Sequence, residues 1–580
     1  SLTYEGEALS LDNKTLSLTG GGSLVLDESN PVTLDHADGE LEFSSDNTTV
    51  SHVKISSGNT SNAPTLKISS NGVIQNLVHE EFSEINFASG KTLRVENAFE
   101  VPAGKQMTIT GAAGTLTLGD NMSLTGTLNL AVEDAILSSG SLTLNGGLLE
   151  VSEDASISSA VIQEVSSEFS VATGKTLSYT GSSFDISAYT LTLSGGGNFQ
   201  SGGLDLNNAN SKLLLNSITL DSTTTSANSL GIDVDNDSTI TSLSVAHITP
   251  VSIASGKTLS GAITVTAGSL KLNETGTLAS SVSMIGGTLD ADNSLTVSGT
   301  LTQSGAITID VADTKTLTYS GASFSLGANT LTLTGGGTLM SGGLDLNNAD
   351  SKLLLNSITV DSVSTTVDNS LGVDVDNDST ITSLSVANIT PVAIASGKTL
   401  SGAITVSAGS LKLNETGTLA STVSMSRGTI LDADESMTIS GSLTQSGSFN
   451  TDQGWTIDVA VGKTLTYTGA AIGIEGHKLI LTSSSSNGGA TFNNTNPLLL
   501  NNANSYLRFD AEVTVGSVSV NVAGNSGRGL KINQSSTIGS LTVTANTELS
   551  IYSGKSLSGA ITLATGSIKL NRTGTLASSV

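Results

Sequence analysis

Apolar side chains fall at every second position through most of this chain. In the stretch Gly256–Ser280, GKTLSGAITVTAGSLKLNETGTLAS, Ile263 and Val265 flank a Thr, and Leu270 and Leu272 flank a Lys. That is the period of a β-strand with one buried and one wet face. Gly, Asn and Ser break the alternation every six to eleven residues or so, which predicts short strands joined by tight turns and leaves no room for helices. The stretch recurs at Gly397–Ser421 with a single change, and at Gly554–Ser578 as GKSLSGAITLATGSIKLNRTGTLAS.

The repetition extends beyond this stretch. Lys175-Thr-Leu-Ser-Tyr179 matches Lys315–Tyr319 and Lys463–Tyr467, so the three lysines are 140 and 148 residues apart. SGGLDLNNA at Ser201–Ala209 equals Ser341–Ala349, and Leu498–Ser505, LLLNNANS, keeps the same register. Four tandem units follow: a divergent 1–174, then 175–314, 315–462 and a truncated 463–580. The sequence starts and stops inside a repeat without a capping segment. The expectation is therefore that the native polypeptide continues, or that another subunit covers each end.

Leu259, Leu278, Leu301, Leu317 and Leu339 lie about twenty residues apart on average, a plausible circumference for one coil. The predicted fold is an all-β parallel β-solenoid (β-helix) with roughly seven coils per unit. Like side chains of successive coils would stack about 4.8 Å apart in one continuous rod on the order of 140 Å long. A string of β-sandwich domains is the alternative. Sandwich cores lean on aromatic residues, and this chain has one Trp, seven Tyr and eleven Phe in 580 residues.

Charge narrows the partners. With 51 Asp and Glu against 23 Lys and Arg, the net charge is −28. Such a chain repels polyphosphate, and the sequence displays neither a basic stripe nor an aromatic ladder, so no nucleic-acid partner is expected. Cysteine is absent, which suits export in an unfolded state and removes disulfides as a stabilising device. No apolar run reaches the roughly 18 residues that span a bilayer.

Few residues stand out as chemistry. Asp233-Val-Asp-Asn-Asp237 repeats as Asp374-Val-Asp-Asn-Asp378. The D-x-D-x-D spacing resembles the start of a calcium loop, making Asp233, Asp235, Asp237, Asp374, Asp376 and Asp378 candidate Ca²⁺ ligands. Against this, Ser238 and Ser379 replace the glycine such loops need, and an acidic edge closed by an Asx turn is the plainer alternative. Asn207, Asn208, Asn210, Asn347, Asn348, Asn501, Asn502 and Asn504 read as corner residues. The five His (His36, His52, His79, His247, His477) do not cluster at ligand spacing. Trp455 ends the sizeable insertion Phe449–Trp455, near Gln453. It is a candidate contact residue for a sugar or neighbouring subunit, or else folds back on its own coil.

The recurring SGTLT, GKTL and AGSLKL phrases resemble the passenger regions of bacterial surface proteins of the haemagglutinin and autotransporter type, over essentially the whole chain. The resemblance implies a right-handed parallel β-helix, export, cell-surface display and roles in adhesion or appendage structure. It assigns no cofactor and no functional residue. Polysaccharide lyases and glycosidases also use β-solenoids, but an active site is a singular constellation. Here Lys212 recurs as Lys352 and Lys271 as Lys412, so the expectation is no enzyme. The reading is an extracellular structural protein, a rigid stalk or a subunit that self-associates into fibres or tubes, with a surface polysaccharide as a further possible partner. A carbohydrate- or ice-binding face of Thr rows is the alternative.

Overall fold

The computed structural model describes residues 1–59, 61–182, 184–367, 370–446, 454–484 and 489–580. The chain is all-β, a parallel β-solenoid of about 27 turns about 21 residues apart. The coil length is the one the leucine spacing predicts. Two compact units form, one of Ser1–Ser283 with Leu295–Gly299, the other of Met284–Ser294 with Thr300–Val580.

In the first unit one strand per coil builds a parallel face, and the alternating pattern sends every second side chain inward. Leu16, Leu41, Leu66, Ile85, Ile109, Leu130, Val151 and Val171 are successive in-register partners in a single column. From Leu41 onward no member is more than 2% exposed. Burying each such side chain contributes roughly 1.5–3 kcal/mol, so the column stabilises the fold without a large central core. Four short strands, Phe99–Val101, Asn121–Leu124, Ser141–Asn145 and Ala160–Val165, pair in parallel as a separate small sheet.

The repeated GKTLSGAITV stretch is an eight-residue strand, Thr258–Val265, that turns a corner midway. Leu259, Ile263 and Val265 are buried, while Gly261 and Ala262 break the alternation. Its register against Ser238–Val245 shifts between Ile240 and Leu243. Gly261 has φ +115°, and a Cβ there would stand 1.8 Å from the Ile240 carbonyl oxygen. Only glycine lets the two backbones approach so closely. Gly402 in the second unit repeats this, with φ +117° and 1.8 Å to the Ile381 oxygen.

The second unit has its own columns. Leu289, Ile309, Leu333, Leu355, Val375 and Ile394 form one. Leu411, Leu431, Ile457, Leu481, Phe509, Ile532 and Ile551 form another. Trp455 opens the strand Trp455–Val459 and heads a third column with Leu479, Leu507, Leu530 and Leu549.

The repeated Lys-Thr-Leu-x-Tyr phrase supplies one buried tyrosine per repeat. The hydroxyl of Tyr179 accepts from the Val161 amide at 3.4 Å, that of Tyr319 from Leu301 at 3.3 Å, and that of Tyr467 from Leu443 at 3.2 Å. The buried ring thus keeps its polar end satisfied. The asparagine corners are Asx turns: Asn208, Asn348 and Asn502 each accept, at 3.0 Å, from the amide two residues on.

Candidate functional site

The repeated aspartates sit where alternation puts them. In the strand Gly231–Asn236, Ile232 and Val234 are buried while Asp233 and Asp235 point outward. The Lys212 ammonium lies 2.5 Å from the Asp233 carboxylate, and Lys352 stands at the same distance from Asp374. One coil on, Asp237 accepts from the Thr258 amide at 2.8 Å, and Asp378 from that of Thr399 at 2.7 Å. Asp235 and Asp376 are exposed beyond these pairs. The calcium-loop spacing is thus spread along an outward ladder. A lysine supplies the positive charge at the first aspartate, and a backbone amide takes up the third. Among the described residues no group of three or more His, Cys, Asp or Glu is gathered to hold a metal ion.

Trp455 is 1% exposed, which corrects its reading as a candidate contact residue: its ring is not available to a sugar or a neighbouring subunit. Phe449 and Gln453 lie outside the described residues. The signal was present in the repeat, because WTIDV at Trp455–Val459 aligns with ITIDV at Ile307–Val311, and Ile307 is itself buried at 3% exposure. The insertion precedes the strand; the tryptophan belongs to it. The first-unit histidines make local bonds, His52 to the Leu26 carbonyl at 3.0 Å and His79 to Ser83 at 2.8 Å. Burial holds His79 down at about 4, hence neutral at ordinary pH.

Where the corner strands stack, each unit carries the same shallow cleft of about 280 Å³. Ser217, Thr219, Asp237, Thr239, Thr258 and Ser260 line it in the first, and Ser357, Thr359, Asp378, Thr380, Thr399 and Ser401 in the second. The threonines belong to in-register rows. Thr316, Thr338, Thr359 and Thr380 are consecutive partners followed by Ser401, and Thr464, Thr491, Thr514 and Thr537 repeat the pattern. Such rows offer hydroxyl donors and acceptors at the strand spacing of about 4.8 Å.

Two features escaped the sequence reading because the coil assembles them. Asp432 lies in register between Lys412 and Asp458, and Lys412 pairs with Asp434 at 2.8 Å. Burial, helped by Asp434 and Asp458, pushes the Asp432 carboxyl up to about 6, and burial raises Asp458 as well. The juxtaposition recurs as Asp290 beside Asp310. The second feature corrects the absence of any aromatic ladder or basic stripe. Lys478 and Lys531 lie 5.9 and 5.7 Å from the Tyr506 ring centre and Arg528 lies 6.0 Å away. Lys531 is also 5.7 Å from the Tyr552 ring, with Arg572 at 3.8 Å from it. Each cation lies twenty or more positions from the ring it faces in sequence, and only the coil period stacks them.

Among the described residues no helix is long and apolar enough to cross a membrane. The chain matches no protein-family model, no curated protein and no solved structure.

Proposed function

We propose that this chain is an extracellular structural protein, a stalk or self-associating filament subunit of a cell-surface appendage that supports adhesion. The observation that carries the reading is the recurrence of outward chemistry from repeat to repeat. The Lys212–Asp233 pair returns as Lys352–Asp374, and the cleft at Thr219 and Thr239 returns at Thr359 and Thr380. A catalyst concentrates unlike groups at one place, whereas repeated patches give repeated contacts, and contacts that do not close on themselves build fibres. Electron microscopy of the purified chain over a concentration series tests this. Fibres or tubes with a regular axial repeat are expected; chains that stay dispersed and monomeric at high concentration overturn the filament reading.

The threonine rows favour a second reading, a surface for carbohydrate or ice. Retention on a panel of immobilised polysaccharides, or inhibition of ice recrystallisation, would be lost in a Thr359→Val, Thr380→Val variant if that reading holds. Unchanged retention and inhibition would remove it.

A further inference from the structure

The chain is acidic, yet its charge is unevenly placed. Residues 478–580 carry seven Lys and Arg against three Asp and Glu, while residues 1–50 carry ten Asp and Glu against one Lys. The fold concentrates both. Around the Tyr506 ring stand Lys478, Arg528 and Lys531 at 5.7–6.0 Å, and Lys531 bridges to Tyr552. The face of an aromatic ring attracts cations and offsets part of their mutual repulsion. Glu548 sits among them and accepts from the Gly527 amide, but with Lys569 beside it and Arg572 on Tyr552 the cations outnumber that carboxylate. In the first unit, Leu2–Thr3 pairs with Leu24–Val25 and Leu9–Ser10 with Val32–Thr33. The loops between these paired strands therefore belong to the same corner of successive coils. They bring Glu5 and Glu7 alongside Asp27 and Glu28, all four exposed.

We propose that the Tyr506–Lys531 cationic patch of one copy docks on the Glu5–Glu28 acidic corner of a second copy, a heterologous contact that propagates. This rests on the filament reading above and names the surface responsible. The occupant follows from charge complementarity: a chain of net −28 offers itself few other positive surfaces, and opposed patches steer encounter and fix register. Because different surfaces meet, the contact leaves one of each free on every dimer and so need not close.

Sedimentation velocity on the intact chain tests it, with Arg528→Glu, Lys531→Glu as one variant and Asp27→Lys, Glu28→Lys as the other, each checked for native circular dichroism and melting. Wild-type association is expected to weaken roughly tenfold as salt rises from about 0.05 to about 0.3 M. Each variant alone is expected to lose association by about tenfold or more, and an equimolar mixture to regain it through the untouched patches. Variants that assemble like wild type, or a mixture that fails to recover, overturn this docking while leaving filament formation by another face intact. A wild-type chain that is monomeric at every salt concentration overturns both. Binding of wild type to polygalacturonate that the Arg528→Glu, Lys531→Glu variant loses, with self-association unchanged, assigns the patch to an anionic polysaccharide and overturns it as well.

Discussion

Asp432 shows how the coil alters a single residue. Its proton is held more tightly in the folded chain, at about 6 against an ordinary 3.8. The group therefore adds stability below about pH 4 and works against the fold as pH rises through about 6. Asp432→Asn is expected to raise stability above about pH 7 by about 1 kcal/mol, an amount discounted for the solvent that reaches the side chain, and to change nothing near pH 4. Urea midpoints across that range check it. Trp455, the one tryptophan, makes its own burial measurable. Its emission is expected to be blue-shifted and weakly quenched by acrylamide, and Trp455→Ala to cost about 3–5 kcal/mol. A solvent-quenched indole would contradict the core position. Both residues were legible in part: the repeat alignment marks Trp455 as inward, but nothing in the local sequence around Asp432 announces Asp458, which neighbours it only after a full turn.

At the scale of the element, the repeated GKTLSGAITV stretch is a strand with a built-in corner. The conformation of Gly402 is closed to other residues both by its φ of +117° and by the Ile381 carbonyl. Gly402→Ala is expected to destabilise by about 3 kcal/mol or more. Gly397, two residues before the strand Thr399–Val406 begins, also has a positive φ (+73°) but nothing within 4 Å of its missing Cβ. Gly397→Ala is expected to cost only about 1–2 kcal/mol. Equal midpoint shifts for the two would mean that contact with the neighbouring coil does not set the requirement. Alternation reveals the strand and its inward face from sequence alone. It does not reveal the corner, because Leu259 and Ile263 keep the same parity across Gly261 and the break lies in the register with the preceding coil.

For the whole molecule, stability is a sum over neighbours, since each coil is buried by the one before and the one after. Leu355 is fully buried between Leu333 and Val375. Leu355→Ala is expected to cost about 2–5 kcal/mol locally. In amide hydrogen exchange, protection should fall in the coils of Leu333, Leu355 and Val375 and persist in the Leu41–Ile109 column of the first unit. Uniform loss of protection along the chain would indicate a single cooperative core and refute nearest-neighbour stability.

The sequence by itself determined the strand type, the inward residues, the coil length and the asparagine turns. Each of these depends on alternation, on glycine and asparagine backbone preferences, or on exact internal repetition, all of which are local or periodic properties. Only the tertiary structure decided which side chains meet across the coil. It set Asp432 beside Asp458, wrapped Lys478, Arg528 and Lys531 around Tyr506, and gave the first aspartate of each repeated motif a lysine and the third a backbone amide. Contacts between successive turns depend on register, and one residue more or less in a loop changes which outward groups become neighbours.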